Sequence, residues 1–261
     1  IRIAAPSSGD QRRIADFLDD QVARIDAMIT ARRRQLTLGE AMLNAALADL
    51  MTSYRRTVPM RRLLDEAVVG IVVRPADLYV DVAGVPSLRG TDVKERTVAN
   101  SGHAAISIEG HAANPRSALR TGDLVVVRTG DAGWASVVPE WASGWNCIDL
   151  VVLRASPGVD AHFLELAINA SKRAGSVGNL SAGALHQHFG VGALRDLQVP
   201  DITEAQRGSL IEQSDVEYLK AHAFAAKVAA SVALLIEYKQ SLITAAVSGE
   251  LDVTTAARVS S

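Results

Sequence analysis

Cysteine is nearly missing from this 261-residue chain. Cys147 stands alone, which excludes an internal disulfide framework, leaves too few thiols for a cysteine-rich zinc site and fits a reducing cytoplasm. Long apolar runs are missing too: no stretch approaches 18 consecutive apolar residues, and no charged-then-apolar leader opens the chain, so the sequence reads as membrane-free. Nor does one sign of charge dominate. The 27 Lys and Arg against 29 Asp and Glu leave −2, which argues against a polyanion held by bulk attraction. Residues 57–200 are no different, with 13 basic and 14 acidic residues, or −1, so affinity for a nucleic acid would have to come from local clustering or a partner subunit. Apolar residues are plentiful. At 48% hydrophobic, 21% charged and a mean hydropathy of +0.14, the composition is that of one large or two modest folded domains. The chain opens on Ile1-Arg-Ile without Met, which reads as the interior of a longer polypeptide.

Catalytic signatures are also missing. The sequence contains no Gly-x-x-x-x-Gly-Lys-Ser/Thr phosphate cradle, no Gly-x-Gly-x-x-Gly after a strand, no His-Glu-x-x-His and no Gly-x-Ser-x-Gly elbow. Glu237-Tyr238-Lys239 has the acidic-x-Lys spacing of many nucleases but lies on a helix without a suitable acidic partner. His186 and His188, with His103 or Cys147, could supply metal ligands, although two His at this spacing are more often a polar surface cluster. The expectation is therefore a chain with no catalytic residue, no metal and no cofactor.

Two segments lack proline and carry the pattern of long helices. In 11–52, Val22, Ile29, Leu36, Leu43 and Leu50 recur every seven residues, the seam of a coiled coil. The companions Ile25, Arg32, Gly39 and Ala46 are apolar only at the ends, which predicts a loose or polar middle, and Gly39 costs about 1 kcal/mol in a helix relative to Ala. In 205–247 the seam repeats through Ala221, Val228, Leu235 and Leu242, with Phe224, Val232 and Tyr238 between. The segments match at an offset of 195. Ser8 and Gln11 land on Thr203 and Gln206, each pair a capping box, and Arg12, Leu47 and Ser53 land on Arg207, Leu242 and Ser248. A helix of about 40 residues is roughly 60 Å long, more than a domain of this size covers, so each needs a partner along its length. The other helix is the nearest candidate. The long intervening segment allows either direction, and the pair is expected to be antiparallel.

Between them, short β-branched runs at 68–74, 78–82, 104–108, 124–128 and 147–154 alternate with Gly, Pro, Asp and Asn turns, and one helix is predicted over 160–172. The glycine-containing stretch 175–192 reads as surface loop and short helix. The expected architecture is α+β: a mostly β domain at 55–200, flanked by helical regions at 1–54 and 201–261.

Four stretches carry a family resemblance: PSSGDQRRIADFLDDQVARID from Pro6, its equivalent after Pro200, EYKQSLITAAVSGELD from Glu237, and GDLVVVRTGDAGWASVV from Gly122. On these, and on the Gly183-led loop before the last strand, the sequence resembles the C-terminal part of a DNA-specificity (S) subunit of Type I restriction-modification systems. It departs from the family in lacking a first recognition domain, in Ala184 where Ser or Thr is common, and in a middle domain that is not basic. The resemblance implies a non-catalytic cytoplasmic DNA-binding protein. Its target-recognition domain would read one half of a bipartite site in double-stranded DNA, and its helix pair would be a spacer that docks methyltransferase (M) and possibly restriction (R) subunits or a second copy.

Arg and Lys suit phosphates and guanine, Asn and Gln suit adenine, and small hydroxyls suit turns. The candidates for DNA contact are Arg89, Lys94, Arg116, Arg120, Arg128, Thr129, Asn179, Ser181, His186, Gln187 and His188. Those for the helix pair are Val22, Ile25, Ile29, Leu36, Leu43, Leu50, Ala221, Val228, Val232, Leu235 and Leu242. Trp134, Trp141 and Trp145 are expected in core or rim rather than stacked on bases. The competing reading is a coiled-coil scaffold whose β domain binds protein.

Overall fold

A computed structural model describes residues 7–81, 83–175 and 190–251. In chain order the elements are α1 (Ser8–Thr52), β1 (Thr57–Pro59), β2 (Leu64–Val69), β3 (Val85–Leu88), β4 (Val93–Lys94), β5 (Thr97–Val98), β6 (Ala104–Ile106), α2 (Ile108–Ala113), β7 (Leu124–Val127), β8 (Ala135–Val137), β9 (Asn146–Cys147), β10 (Leu150–Ala155), α3 (Ala161–Arg173), α4 (Val191–Asp196), β11 (Gln198–Pro200) and α5 (Glu204–Ser248). They form two compact units. One contains the chain up to Leu43 and from Tyr218 onward, the other Asn44–Glu217.

The helical unit is an antiparallel pair. Helices α1 and α5 are each 45 residues without a break. Helix α5 is capped as its spacing predicts: the Thr203 N–H donates to Gln206 Oε1 at 3.0 Å, and the Gln206 N–H to Thr203 Oγ1 at 3.4 Å. At α1 the cap is Ser7 rather than Ser8. The Asp10 N–H donates to Ser7 Oγ at 3.2 Å, and that hydroxyl donates to the Asp10 carboxylate at 2.5 Å. A full negative charge in the first turn faces the positive end of the helix, and the Ser7 and Arg13 contacts hold Asp10 below the usual carboxylate range.

Two contacts fix the register. Lys239 Nζ reaches both carboxylate oxygens of Asp26, at 2.7 and 2.8 Å, so the lysine of the acidic-x-Lys pair serves helix pairing, while Glu237 is exposed. Farther along, a Cβ on Gly39 would stand 2.9 Å from Phe224 Cδ1 and Cε1. This antiparallel register sets Val22 level with Leu242, Ile29 with Leu235, Leu36 with Val228 and Leu43 with Ala221. Ile25, Ile29, Leu43 and Val228 are buried, and Val22, Leu36, Ala221, Val232, Leu235 and Leu242 are half-buried. The companions on α5 are Ala225, Val232, Lys239 and Ala246, whereas Phe224 and Tyr238 are 42% and 56% exposed. The middle of the seam is filled otherwise than its composition predicts: Arg32 points to solvent, and the missing side chain of Gly39 makes room for the Phe224 ring.

Each helix carries a second apolar stripe. On α1, Met28, Leu38 and Met42 are exposed; Ala31, Leu38 and Ala45 recur by sevens, while half-buried Gln35 stands between Met28 and Met42. On α5 the series are Val216, Ala223 and Ala230, and Leu219, Ala226 and Ala233, all exposed. One 18-residue window of α5 reaches a mean hydropathy of 1.5, so the helix is long and apolar enough to cross a membrane. Its unbroken apolar runs are short, because polar residues such as His222, Lys227 and Ser231 interrupt them.

The β unit is built on a four-stranded antiparallel sheet, β2-β10-β7-β8, beside a three-stranded sheet, β6-β3-β9, whose β3–β9 pairing is parallel. Strands β7 and β10 are buried along their length, which is why their apolar runs do not alternate. Strand β1 pairs with β11, Thr57 opposite Pro200, and so closes the unit where the chain enters and leaves. Helix α3, capped by Asp160, covers the edge strand β8 with side chains that act as a further strand. Asn169 Oδ1 accepts from the Ala135 N–H at 2.9 Å, its amide donates to the Ala135 carbonyl at 3.0 Å, and Glu165 accepts from the Val137 N–H at 2.9 Å. The hairpin β4–β5 turns on Glu95 and Arg96, the latter left-handed at φ 55°. Arg96 binds Asp215 at 2.5 Å, while Arg173 joins Glu95 at 2.6 Å to Asn44 at 2.7 Å.

Several strands differ from their expected bounds. The run 68–74 leaves the sheet after Val69, where the Gly70 backbone lies against Cys147, and it ends at left-handed Arg74, after which Pro75 opens a 3-10 turn. That turn and a single bridge from Tyr79 to Ile106 replace the strand expected at 78–82, whose last residue lies outside the described ones. The run 147–154 breaks at Asp149, φ 52°. Residue 108 starts α2, capped by Ser107.

Candidate nucleic-acid interface

The described candidates for DNA contact do not form one cluster. Arg128 and Thr129 sit on one rim of the central sheet, where β7 and β2 end and β10 begins. Arg116 and Arg120 sit on the opposite rim, roughly 16 Å away at about 3.3 Å per residue.

On the first rim Asp149 is the organiser. Its carboxylate receives Arg128 Nη1 at 2.6 Å and the Thr129 hydroxyl on its other oxygen. Its N–H donates to the Ile71 carbonyl at 3.1 Å, tying the rim to the turn at 70–74. Gly70 permits this approach, since a Cβ there would stand 2.7 Å from both the carbonyl oxygen and Sγ of Cys147. Burial pushes the Cys147 thiol up to about 12, so it is a packing residue and neither nucleophile nor metal ligand. Arg89 borders this rim, as a Cβ on neighbouring Gly90 would stand 3.6 Å from the Thr129 carbonyl. Its guanidinium binds buried Asp92 at 3.3 Å and the Gly102 carbonyl at 3.2 Å. Lys94 is exposed on β4 and contributes to lowering Asp131, whose main partner is Lys172.

The second rim is a structural network. Arg154, with 9% of its side chain exposed, binds Glu66, Asp123 at 3.3 Å, and the carbonyls of Arg116 and Ala118 at 3.3 and 2.9 Å. Arg116 joins Glu66 at 3.1 Å with 78% of its side chain exposed. The Arg154 and Arg116 bonds pull the Glu66 carboxyl down, while burial raises Asp123 despite the nearby arginines. Arg120 is exposed, its N–H donating to Asp123 at 3.0 Å. Arg89, Arg116 and Arg128 are thus all paired with carboxylates.

Trp134 and Trp145 pack against the central core, and Trp141 is 44% exposed. Trp141 and Trp145 flank the His103 ring, with centroids 5.9 and 4.7 Å from it. Asn179, Ser181, His186, Gln187 and His188 lie outside the described residues. Among the described residues no group of three His, Cys, Asp or Glu side chains converges as a metal site. The sequence reading missed Asp149 and the turn at 70–74; the signal available was an apolar run ending on Arg74-Pro75 after Gly70. The rim brings the Arg128 guanidinium and the Thr129 hydroxyl, both engaged by Asp149, close to the valines of the turn.

No protein-family model matches the sequence, and comparison with curated proteins finds no relative. Solved structures do match. A chain of a type I R-M system, from a structure addressing complex assembly and conformational transition, is 19% identical, with a TM-score of 0.74 over 94% of this chain and 61% of its own. The HsdS subunit from Thermoanaerobacter tengcongensis is 18% identical, with a TM-score of 0.58 over 94% of this chain and 60% of its own. The chain therefore shares the fold of these proteins and spans about three fifths of their length.

Proposed function

We propose that this chain is a specificity component of a Type I restriction-modification system, which reads one half of a bipartite site in double-stranded DNA and docks methyltransferase and restriction subunits. The observation that carries this reading is that the β unit and both 45-residue helices, not one part alone, share the fold of type I R-M chains. In this reading the β unit reads bases, and the helices set the distance to a second reader. A helical pair is a stiff spacer, so the separation of half-sites follows from helix length. The second reader is another domain of a longer chain or a second copy.

The outer stripes of α1 and α5 support the docking role. Exposed apolar positions recurring by sevens, with alanines that let backbones approach, suit helices laid alongside. Methyl transfer and cleavage belong to the partners in this reading, which leaves the chain non-catalytic and cytoplasmic. The scaffold alternative draws only on the net charge of −2.

A salt titration of duplex binding by the complex in which the chain is purified decides between them. A DNA reader loses affinity linearly in log–log form as salt rises; binding to duplex that is absent or independent of salt would leave the scaffold. Mapping methylated sites in the host with and without the gene then identifies the half-site.

A further inference from the structure

We infer that the turn Val72-Val73-Arg74 is a base-reading element, its valines set against base edges in a groove of duplex DNA and its arginine on a neighbouring phosphate. The inference rests on the reading of the β unit as a DNA-binding domain and names a part of that surface which the motifs do not.

Three observations converge on the turn. Val72 is 45% and Val73 77% exposed, two consecutive apolar side chains in solvent where continuing β2 would have turned one of them inward. Among the described residues the Arg74 side chain has neither an ion pair nor a hydrogen bond, its carbonyl alone accepting from the Asp77 N–H at 3.0 Å, whereas Arg89, Arg116 and Arg128 are each held by a carboxylate. It is the free guanidinium of this rim. Finally, the turn is held rigid at both ends. Gly70 and Ile71 bond to Leu150 and Cys147 at 2.8 and 2.9 Å, and Pro75 fixes the exit. Of the three left-handed residues other than glycine among the described residues, Arg74 (φ 44°) and Asp149 (φ 52°) occur here, with Asp149 bonded to the Ile71 carbonyl. Left-handed backbone at such residues persists only where surroundings impose it, and it gathers at functional sites.

The occupant follows from continuity. Through Ile71 the turn adjoins Asp149, which holds Arg128 and Thr129, so apolar methyls, a free cation and hydrogen-bond donors share one rim. Valine methyls meet the C5-methyl of thymine as other small apolar side chains do, and a rigid turn loses little entropy on binding.

The test is selection from duplexes with a randomised core. It compares the purified complex carrying the wild-type chain with those carrying Val72→Ser/Val73→Ser or Arg74→Ala, after melting curves establish that the variants fold. The valine pair is expected to lower discrimination at one or two adjacent base pairs by about 5- to 100-fold. The rest of the motif and the salt slope should stay as in wild type. Arg74→Ala is expected to weaken all sequences alike and reduce the salt slope by about one. An unchanged motif in the valine variant with an unchanged slope in the arginine variant would overturn the inference while leaving the DNA reading intact. An unchanged motif with loss of a co-purifying subunit would overturn it in favour of a protein contact. Failure of the wild-type complex to bind duplex in a salt-dependent way would remove the DNA reading itself, and this element with it.

Discussion

Replacing Gly39 with alanine tests the register of the helix pair, because two effects of similar size oppose each other there. In an unpartnered helix the change stabilises by about 1 kcal/mol, since glycine surrenders more backbone freedom. In this pair the new methyl would stand 2.9 Å from two ring carbons of Phe224, well inside the ordinary carbon–carbon contact of about 3.5–4.0 Å. The ring, 42% exposed, can swing outward, but it then loses its seat on α1, a cost of about 1–2 kcal/mol. The net effect should lie between zero and about 1 kcal/mol of destabilisation. With Phe224→Ala already in place, the same substitution should recover the full gain of about 1 kcal/mol. The coupling between the two sites is then at least about 1 kcal/mol. Hydrogen exchange of the α1 amides around residue 39 reads this locally, without the β unit's unfolding mixed in; 1 kcal/mol is about a fivefold change in protection. Equal gains in both backgrounds would refute the contact, and with it the level at which α1 and α5 meet.

The β unit offers three further tests. Arg154→Met should lower stability by about 3–5 kcal/mol in thermal denaturation, because it strands the buried Asp123 carboxylate; adding Asp123→Asn should restore part of the loss, and a loss under 1 kcal/mol would show the network to be dispensable. Asn169→Ala should cost about 1–3 kcal/mol for each of the two Ala135 backbone groups it unpairs; Asn169→Asp, which sets a buried carboxylate against the Ala135 carbonyl, should cost at least as much. The Glu165 hydrogen bond raises the pKa of His162 above 6.5. Its stabilisation is therefore complete below the unfolded pKa and fades as pH rises through the raised folded value. The melting temperatures of wild type and His162→Gln should differ most near about pH 5.5 and converge at alkaline pH; a gap that widened with pH would contradict the assignment.

Periodicity carried the helices because its cause is local. Heptad spacing and the absence of proline specify a continuous helix whatever packs on it, and Thr203 and Gln206 cap α5 as their spacing requires. The strands were less legible. Ile71, Val72 and Val73 have every local preference for β structure, yet the chain leaves the sheet at Gly70, because Cys147, distant in sequence, fills the space where a side chain would stand. The same distance hid Asp149, whose role depends on Arg128 and Thr129 arriving from another strand.

Helix lengths, the seven-residue stripes and the buried runs of β7 and β10 are written in the order of residues, since each needs only neighbours three to seven positions away. The direction of the helix pair, the fit of Phe224 over Gly39, the division of the arginines between two rims and the exposure of Val72, Val73 and Arg74 were decided by folding. Each depends on which distant backbone or charge comes within a few ångströms, and a linear pattern does not encode that.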